Sequence, residues 1–395
     1  MKGQSTMNST VAAPAVPTAQ QHAAGMTDYV QAGTEQALRL GNRGPVRFAS
    51  DGKLHPDILE AFREHGFYVF EGVIADAELD ELRADIDYLL EHAPTAPDAK
   101  LDKKGRPAYG REFARNPYLF IKPLSDPWGG TKALSGRHPT KMAQPLPPAD
   151  APAEIVHLLN GMCQTMPSGL RLYGHPHLLA IAEAINGEDF VPYNDATFVK
   201  LPGLGGSVSW HQDGVTHWDS PDWDEGIHGF NFQVQLYACT ARNCLWVLPG
   251  THKLGRIDIK ALVAQNGGSE QVSGVVPLLC NPGDVTIANR QVVHGSFANT
   301  SPDLRVSLTF GFHRRSSVLG ARGALSQTAD EVYDEQRIFE RSSVIQVAID
   351  ARAQRFPEET PFVYKPFDGQ EDEFRFDQVT FDRVVRDYNL KDLSI

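Results

Sequence analysis

Ser207-Val-Ser-Trp-His-Gln-Asp213 is the stretch on which the fold reading turns. Alternate side chains of a strand point to opposite faces, so His211 and Asp213 share one face while Gln212 turns away. A strand ending at Gly214 therefore offers two metal ligands side by side. A third must come from a distant strand, and Val292-Val-His-Gly-Ser296 is a short apolar run with His294 at its edge. Two imidazoles and one carboxylate form a facial set. That set leaves the opposite side of an octahedral ion open, as suits non-haem Fe(II) chemistry.

Arg305-Val-Ser-Leu-Thr-Phe-Gly-Phe312 is the clearest alternating strand in the chain. As an antiparallel neighbour of the His294 strand, it would hold Arg305 deeper than the metal. A guanidinium there meets a dicarboxylate end-on through two parallel hydrogen bonds. Ser296, two residues past His294, faces the same side. The constellation points to an Fe(II)/2-oxoglutarate-dependent oxygenase. An H-x-D triplet alone carries little, and the lone His217, His228, His252 and His313 read as surface or satisfied core residues.

Several separated blocks resemble the phytanoyl-CoA dioxygenase family. They are Trp210-His-Gln-Asp213, Asn243-Cys-Leu-Trp-Val-Leu-Pro-Gly-Thr-His-Lys253, Pro282-Gly-Asp-Val-Thr286, and His294-Gly-Ser296 with Arg305. Phe62-Arg-Glu-His-Gly-Phe-Tyr-Val-Phe-Glu-Gly72 is similar to the family's opening helix-to-strand segment. Asn243 departs from the pattern, because Cys244 follows it without the usual glycine. The resemblance implies a mainly β fold with flanking helices around a double-stranded β-helix (jelly-roll, cupin-like) core. It also implies that His211, Asp213 and His294 ligate Fe(II), that Arg305 pairs with the far carboxylate of the cosubstrate 2-oxoglutarate, and that Ser296 helps hold that end. O2 is then the oxidant, and succinate and CO2 leave as a small-molecule C–H is hydroxylated. Halogenases of the superfamily lack the carboxylate ligand, so Asp213 favours hydroxylation. No catalytic acid or base is assigned.

The 395 residues suffice for one large domain. A net charge of −12 argues against nucleic acid as a partner, and no apolar run is long enough to cross a membrane. Cys163, Cys239, Cys244 and Cys280 lack disulfide or zinc spacing and read as buried reduced thiols, which fits a cytoplasmic protein.

Residues 1–45, polar and rich in Ala, Gln, Ser, Thr and Pro, read as a disordered leader, with Met26 an alternative start. Residues 46–395 read as a single oxygenase domain. Within it lie a Pro- and Gly-rich basic insertion at 94–152, the β-helix core at 195–315 and a C-terminal extension at 324–395. Eight core strands are expected near 196–201, 207–213, 230–238, 244–248, 272–280, 284–288, 291–297 and 305–313. Gly203-Leu-Gly-Gly206 reads as a hairpin loop between the first two. The extension is expected to cover the barrel or to build a homodimer contact.

The loop after Asp213 carries Trp218, Asp219 and Trp223, candidates for a substrate wall or, equally, a solvated acidic loop. The basic 100–115 segment pulls the other way, toward the phosphates of an acyl-CoA thioester or the carboxylate of a small acid. Two further readings of the same barrel are a metal-dependent cupin-type isomerase and a non-catalytic binding protein. The first gives no reason for Arg305 and Ser296 to stand at this offset, and the second would be expected to have lost a ligand, while none is missing here.

Overall fold

A computed structural model describes residues 16–213, 229–322 and 331–391. Helices α1 (Ala19–Gly25) and α2 (Thr27–Leu40) precede β1 (Arg43–Gly44), α3 (Pro56–His65), β2 (Phe67–Phe70) and α4 (Asp76–Glu91). β3 (Tyr118–Ile121) and β4 (Ile155–Asn160) follow, then α5 (Met162–Thr165), α6 (Pro167–Tyr173), α7 (Pro176–Asn186), β5 (Val191–Lys200), β6 (Val208–His211) and β7 (Gly229–Gln235). Next come β8 (Trp246–Leu248), α8 (Ile259–Gln265), β9 (Val276–Pro277), β10 (Val285–Asn289), β11 (Val293–Ser296), β12 (Arg305–His313), α9 (Arg315–Val318), α10 (Glu335–Arg355) and α11 (Gln378–Thr380).

The strands form two sheets rather than a closed barrel. The larger runs β1-β2-β10-β7-β12-β5-β4-β3 and the smaller β6-β11-β8-β9. Period-two alternation divides the large sheet. Phe230, Phe232 and Val234 of β7, with Val306, Leu308, Phe310 and Phe312 of β12, join the main core beneath α6, α7 and α10. The intervening Asn231, Gln233, Arg305 and Thr309 face a cavity toward the small sheet. This polar inner face is what positions the site.

Local chemistry explains the entry to the fold. Pro56 opens α3, the His55 side chain accepts from the Asp57 amide, and Gly66 closes the helix in the left-handed region (φ 80). The chain then passes at once into β2, whose four residues are all buried.

The eight expected core strands are all present, several of them shorter than expected and one reduced to Val276–Pro277. Three readings need correction. Arg305 begins a strand of the large sheet, flanked by β5 and β7, and not a neighbour of β11. β5 and β6 lie in different sheets, so the glycine-rich 203–206 stretch crosses between sheets and is no hairpin. The basic insertion contains β3, which pairs with β4 at the edge of the large sheet.

The leader reading fails over residues 19–40, which are helical. Thr18 and Gln21 form a capping box. Tyr29 stacks on buried Trp246 with ring centroids 5.1 Å apart, and its hydroxyl donates to the Val272 carbonyl. Val30, Ala37 and Leu40 pack beside this anchor, and Gly33 lets the helix approach Trp246 closely. Residues 1–15 lie outside the described residues.

The four cysteines are buried and unpaired. Among the described residues, no helix is long and apolar enough to cross a membrane.

Candidate metal centre and its cavity

His294 of β11 stands in register with His211 of β6, with ring centroids 4.0 Å apart. Asp213 lies just past the end of β6, where its amide donates to the Arg290 carbonyl at 2.7 Å. One donor atom from each of His211, Asp213 and His294 falls within 4.8 Å of the others, and all three residues are buried. Asp213 Oδ1 is 3.5 Å from His211 Nε2, and its Oδ2 is 3.7 Å from His294 Nε2. Gln212 turns away as strand alternation requires. Its amide nitrogen donates to the carbonyls of Gly255 and Gln291, and its oxygen accepts from the Ile257 amide.

Whether this set fits a divalent metal rests on its donors. His211 Nδ1 is 2.8 Å from the Ser209 carbonyl and His294 Nδ1 is 2.9 Å from the Val292 carbonyl. Carbonyls only accept, so each Nδ1 carries the proton and each Nε2 presents a lone pair to the centre. Burial, then the neighbouring His211, pushes His294 down to about 3, which keeps the imidazole neutral as ligation requires. Burial works against the Asp213 carboxylate, but Arg137, His211 and His294 overturn it and hold the carboxyl well below the usual range. Two imidazoles and one carboxylate fit a non-haem Fe(II) site.

Arg305 is 2 % exposed and lines the same cavity. Its guanidinium donates to Ser307 Oγ, the Asn243 carbonyl and Gln233 Oε1, three neutral acceptors. Lys200, opposite it in the β5–β12 register, is fully buried and donates to Ser296 Oγ at 2.8 Å and to the Phe297 carbonyl. Burial, then Arg305, pushes the Lys200 ammonium well below lysine's usual range. The result is an end lined by the Arg305 guanidinium and the Lys200 amine with no acid among these contacts, a place where an anion would be stabilised.

The cavity, about 240 Å³, is walled by both sheets and by the insertion. Residues 133–138 crown the metal centre. Leu134 (φ 49), Ser135 (φ 59) and Gly136 (φ 70) are all left-handed. For the two non-glycine residues this costs about 1–3 kcal/mol each, the kind of strain that clusters at ligand sites. The turn delivers Arg137, whose Nη1 is 2.9 Å from Asp213 Oδ1, and His138, whose ring is centred 4.1 Å from that of His211. Asn231 Nδ2 donates to the other Asp213 oxygen at 3.1 Å.

His211, Asp213, His294, Ser296 and Arg305 thus share one cavity. Trp218, Asp219 and Trp223 lie outside the described residues. Sequence reasoning missed Arg137, Asn231 and Lys200. A signal existed for Lys200 and Asn231, which fall on alternating strands with inward parity. Arg137 had none, because its placement comes from the left-handed turn. Half of the basic residues in the 100–115 segment are spent on local partners: Lys104 on Glu91, Arg106 on Asp102 and Glu91, and Arg111 on the Pro97 and Ala99 carbonyls. From that segment, only Arg115 lines the cavity among the described residues.

A sheet-rich fold with a buried two-His, one-carboxylate centre and a cation-lined cavity defines a non-haem oxygenase class. The chain belongs to the phytanoyl-CoA dioxygenase (PhyH) family, whose model matches residues 62–307. It is therefore an enzyme of the Fe/2-oxoglutarate oxygenase type. It is 32% identical to phytanoyl-CoA dioxygenase 1 of Oryza sativa subsp. japonica over 117 residues, spanning 28% of this chain and 40% of that protein. It is 23% identical to phytanoyl-CoA dioxygenase domain-containing protein 1 of Rattus norvegicus over 305 residues, 71% of this chain and 97% of that one. Among solved structures, EctD from S. alaskensis with 2-oxoglutarate and 5-hydroxyectoine aligns at 18% identity and a TM-score of 0.47, covering 69% of this chain and 80% of that one.

Proposed function

We propose that this oxygenase hydroxylates an unactivated C–H of a small molecule, with release of succinate and CO2 from 2-oxoglutarate. In this reading His211, Asp213 and His294 hold the iron. Arg305 takes the far carboxylate of 2-oxoglutarate, and the Ser296 hydroxyl, held by Lys200, supports the same end. Iron, 2-oxoglutarate and O2 together supply the oxidising chemistry. The chain's own share is to orient the ligands, seat the substrate and exclude water.

One observation carries the reading: a buried arginine whose described partners are all neutral shares a cavity with the three-ligand centre. Burying an unpaired guanidinium is costly, and a dicarboxylate reaching from the metal to Arg305 removes that cost. The isomerase and binding-protein readings give no use to that cation. Local pairing of Lys104, Arg106 and Arg111 weakens the acyl-CoA reading, because it withdraws those cations from a phosphate group. The four buried, unpaired thiols support a reducing, cytoplasmic setting.

The test is anaerobic addition of Fe(II) and 2-oxoglutarate to metal-free protein, followed by admission of O2. A weak visible charge-transfer band and then succinate release are expected, and both are expected to vanish in His211→Ala. Iron binding that is indifferent to 2-oxoglutarate would overturn the cosubstrate assignment.

A further inference from the structure

We propose that the substrate is an anion, a carboxylate carried on an apolar body, and that Arg137 is its anchor. The inference rests on the oxygenase reading above and names the substrate class of that same site.

Arg137 reaches the cavity from the strained 134–136 turn and lines it, with its side chain 22 % exposed. Among the described residues its acid partner is Asp213, and its other contacts are the Tyr193 hydroxyl and His138 Nε2. Among the described residues, the charges of the loaded site do not cancel without a further anion. A divalent metal and the Arg305 and Arg115 guanidinium groups are balanced by the Asp213 and Asp195 carboxylates, which line the same cavity, and by the two carboxylates of 2-oxoglutarate. Arg137 is then one positive charge in excess. Lys200 adds no fixed charge to this balance when it is neutral, as its burial against Arg305 favours. A monoanionic substrate restores neutrality, and a planar guanidinium suits a carboxylate because it presents paired N–H donors.

The surrounding walls describe the rest of the molecule. Leu119, Trp128, Leu134, Leu158, Phe198 and Leu245 line the same cavity. They can hold an alkyl or aromatic body beside the metal centre, while Arg137 fixes one end. Arg115 also lines the cavity and donates to the Asn389 carbonyl, which keeps a second cation at the same wall. Apolar walls with a few convergent polar groups are the usual form of a small-molecule site, where the polar groups set orientation.

The experiment compares carboxylates with their matched primary amides. Butyrate, octanoate, decanoate and hydrocinnamate, each beside its amide, are titrated anaerobically into the Zn(II)-loaded protein with 2-oxoglutarate, and binding is read by ligand-observed NMR. Wild type is expected to favour at least one carboxylate over its amide by about tenfold or more. Arg137→Gln is expected to erase that preference, and Arg137→Lys to retain part of it. Thermal melts of each variant confirm that the fold is intact. If no carboxylate outbinds its amide, or if Arg137→Gln keeps the preference, the anchor is wrong. Loss of 2-oxoglutarate affinity in Arg137→Gln with the preference intact reassigns Arg137 to the cosubstrate and also overturns the proposal. Failure of the oxygenase reading looks different, because 2-oxoglutarate then produces no change in wild-type protein loaded with Fe(II).

Discussion

Arg137 and Asp213 form an ion pair of 2.9 Å at the heart of the cavity, joining the insertion to the end of β6. The pair makes a metal-free state tolerable, since a lone carboxylate between two imidazoles would otherwise be stranded. Asp213→Asn should therefore destabilise the metal-free protein by about 1–3 kcal/mol, because Arg137 loses its acid. Denaturant unfolding in EDTA measures this. Adding Co(II) at about 100 times its dissociation constant should raise wild-type stability by about 2.7 kcal/mol. The variant should show little of that gain. Equal metal-induced stabilisation in both proteins would remove Asp213 from the ligand set.

Arg305→Ala tests the anion end separately from the metal. The guanidinium is held by Ser307, Asn243 and Gln233 and not by His211, Asp213 or His294, so metal content should survive. Affinity for 2-oxoglutarate, titrated by the charge-transfer band, should fall by about 100-fold or more, as loss of a buried charge pair implies. Arg305→Lys should recover only part, since an ammonium lacks the paired N–H donors. A variant that binds 2-oxoglutarate as wild type does would place the cosubstrate elsewhere.

How much of this site is legible in the chain depends on periodicity. His211 and His294 are readable because ligands on strands announce themselves through parity and a local apolar run. The same parity places Arg305 on an inward face, yet it cannot say which sheet the strand joins, and β12 pairs with β5 and β7 rather than β11. Arg137 stays hidden for a different reason. It follows Leu134-Ser135-Gly136, whose left-handed backbone leaves no period in the sequence. Helix α2 escapes a reading by composition, which reports how much a segment can bury, not whether one tyrosine finds a tryptophan to stack on.

His157 gives the fold an acid-sensitive point away from the metal ligands. It is fully buried on β4 with neither ring nitrogen hydrogen-bonded, and burial, then Lys200 and Arg305, pushes it down to about 3. The unfolded chain takes up the proton first, near the usual 6.5. The stability contribution is thus complete above pH 6.5 and is lost as pH falls from there toward 3. At pH 5 the loss from this one residue is about 2 kcal/mol. His157→Phe should narrow the difference in unfolding free energy between pH 7 and pH 5 by that amount. An unchanged difference would mean that His157 is not held neutral in the fold.

Gly33 decides whether α2 stays docked. A Cβ at this position would fall inside van der Waals contact of two ring atoms of Trp246, which is itself fully buried. The ring is held on its other sides by Phe297 and by an indole hydrogen bond to the Ala241 carbonyl, so it has little room to retreat. Helix propensity alone favours Gly33→Ala by about 1 kcal/mol. Packing acts with the opposite sign, lifting α2 from Trp246 and weakening the Tyr29 stack. Native-state hydrogen exchange of the α2 amides should then quicken by about tenfold, equivalent to about 1.4 kcal/mol of lost local stability. Trypsin cleavage at Arg39 should quicken in parallel. Slower exchange in the alanine variant would show that propensity, not the seat on Trp246, governs this helix.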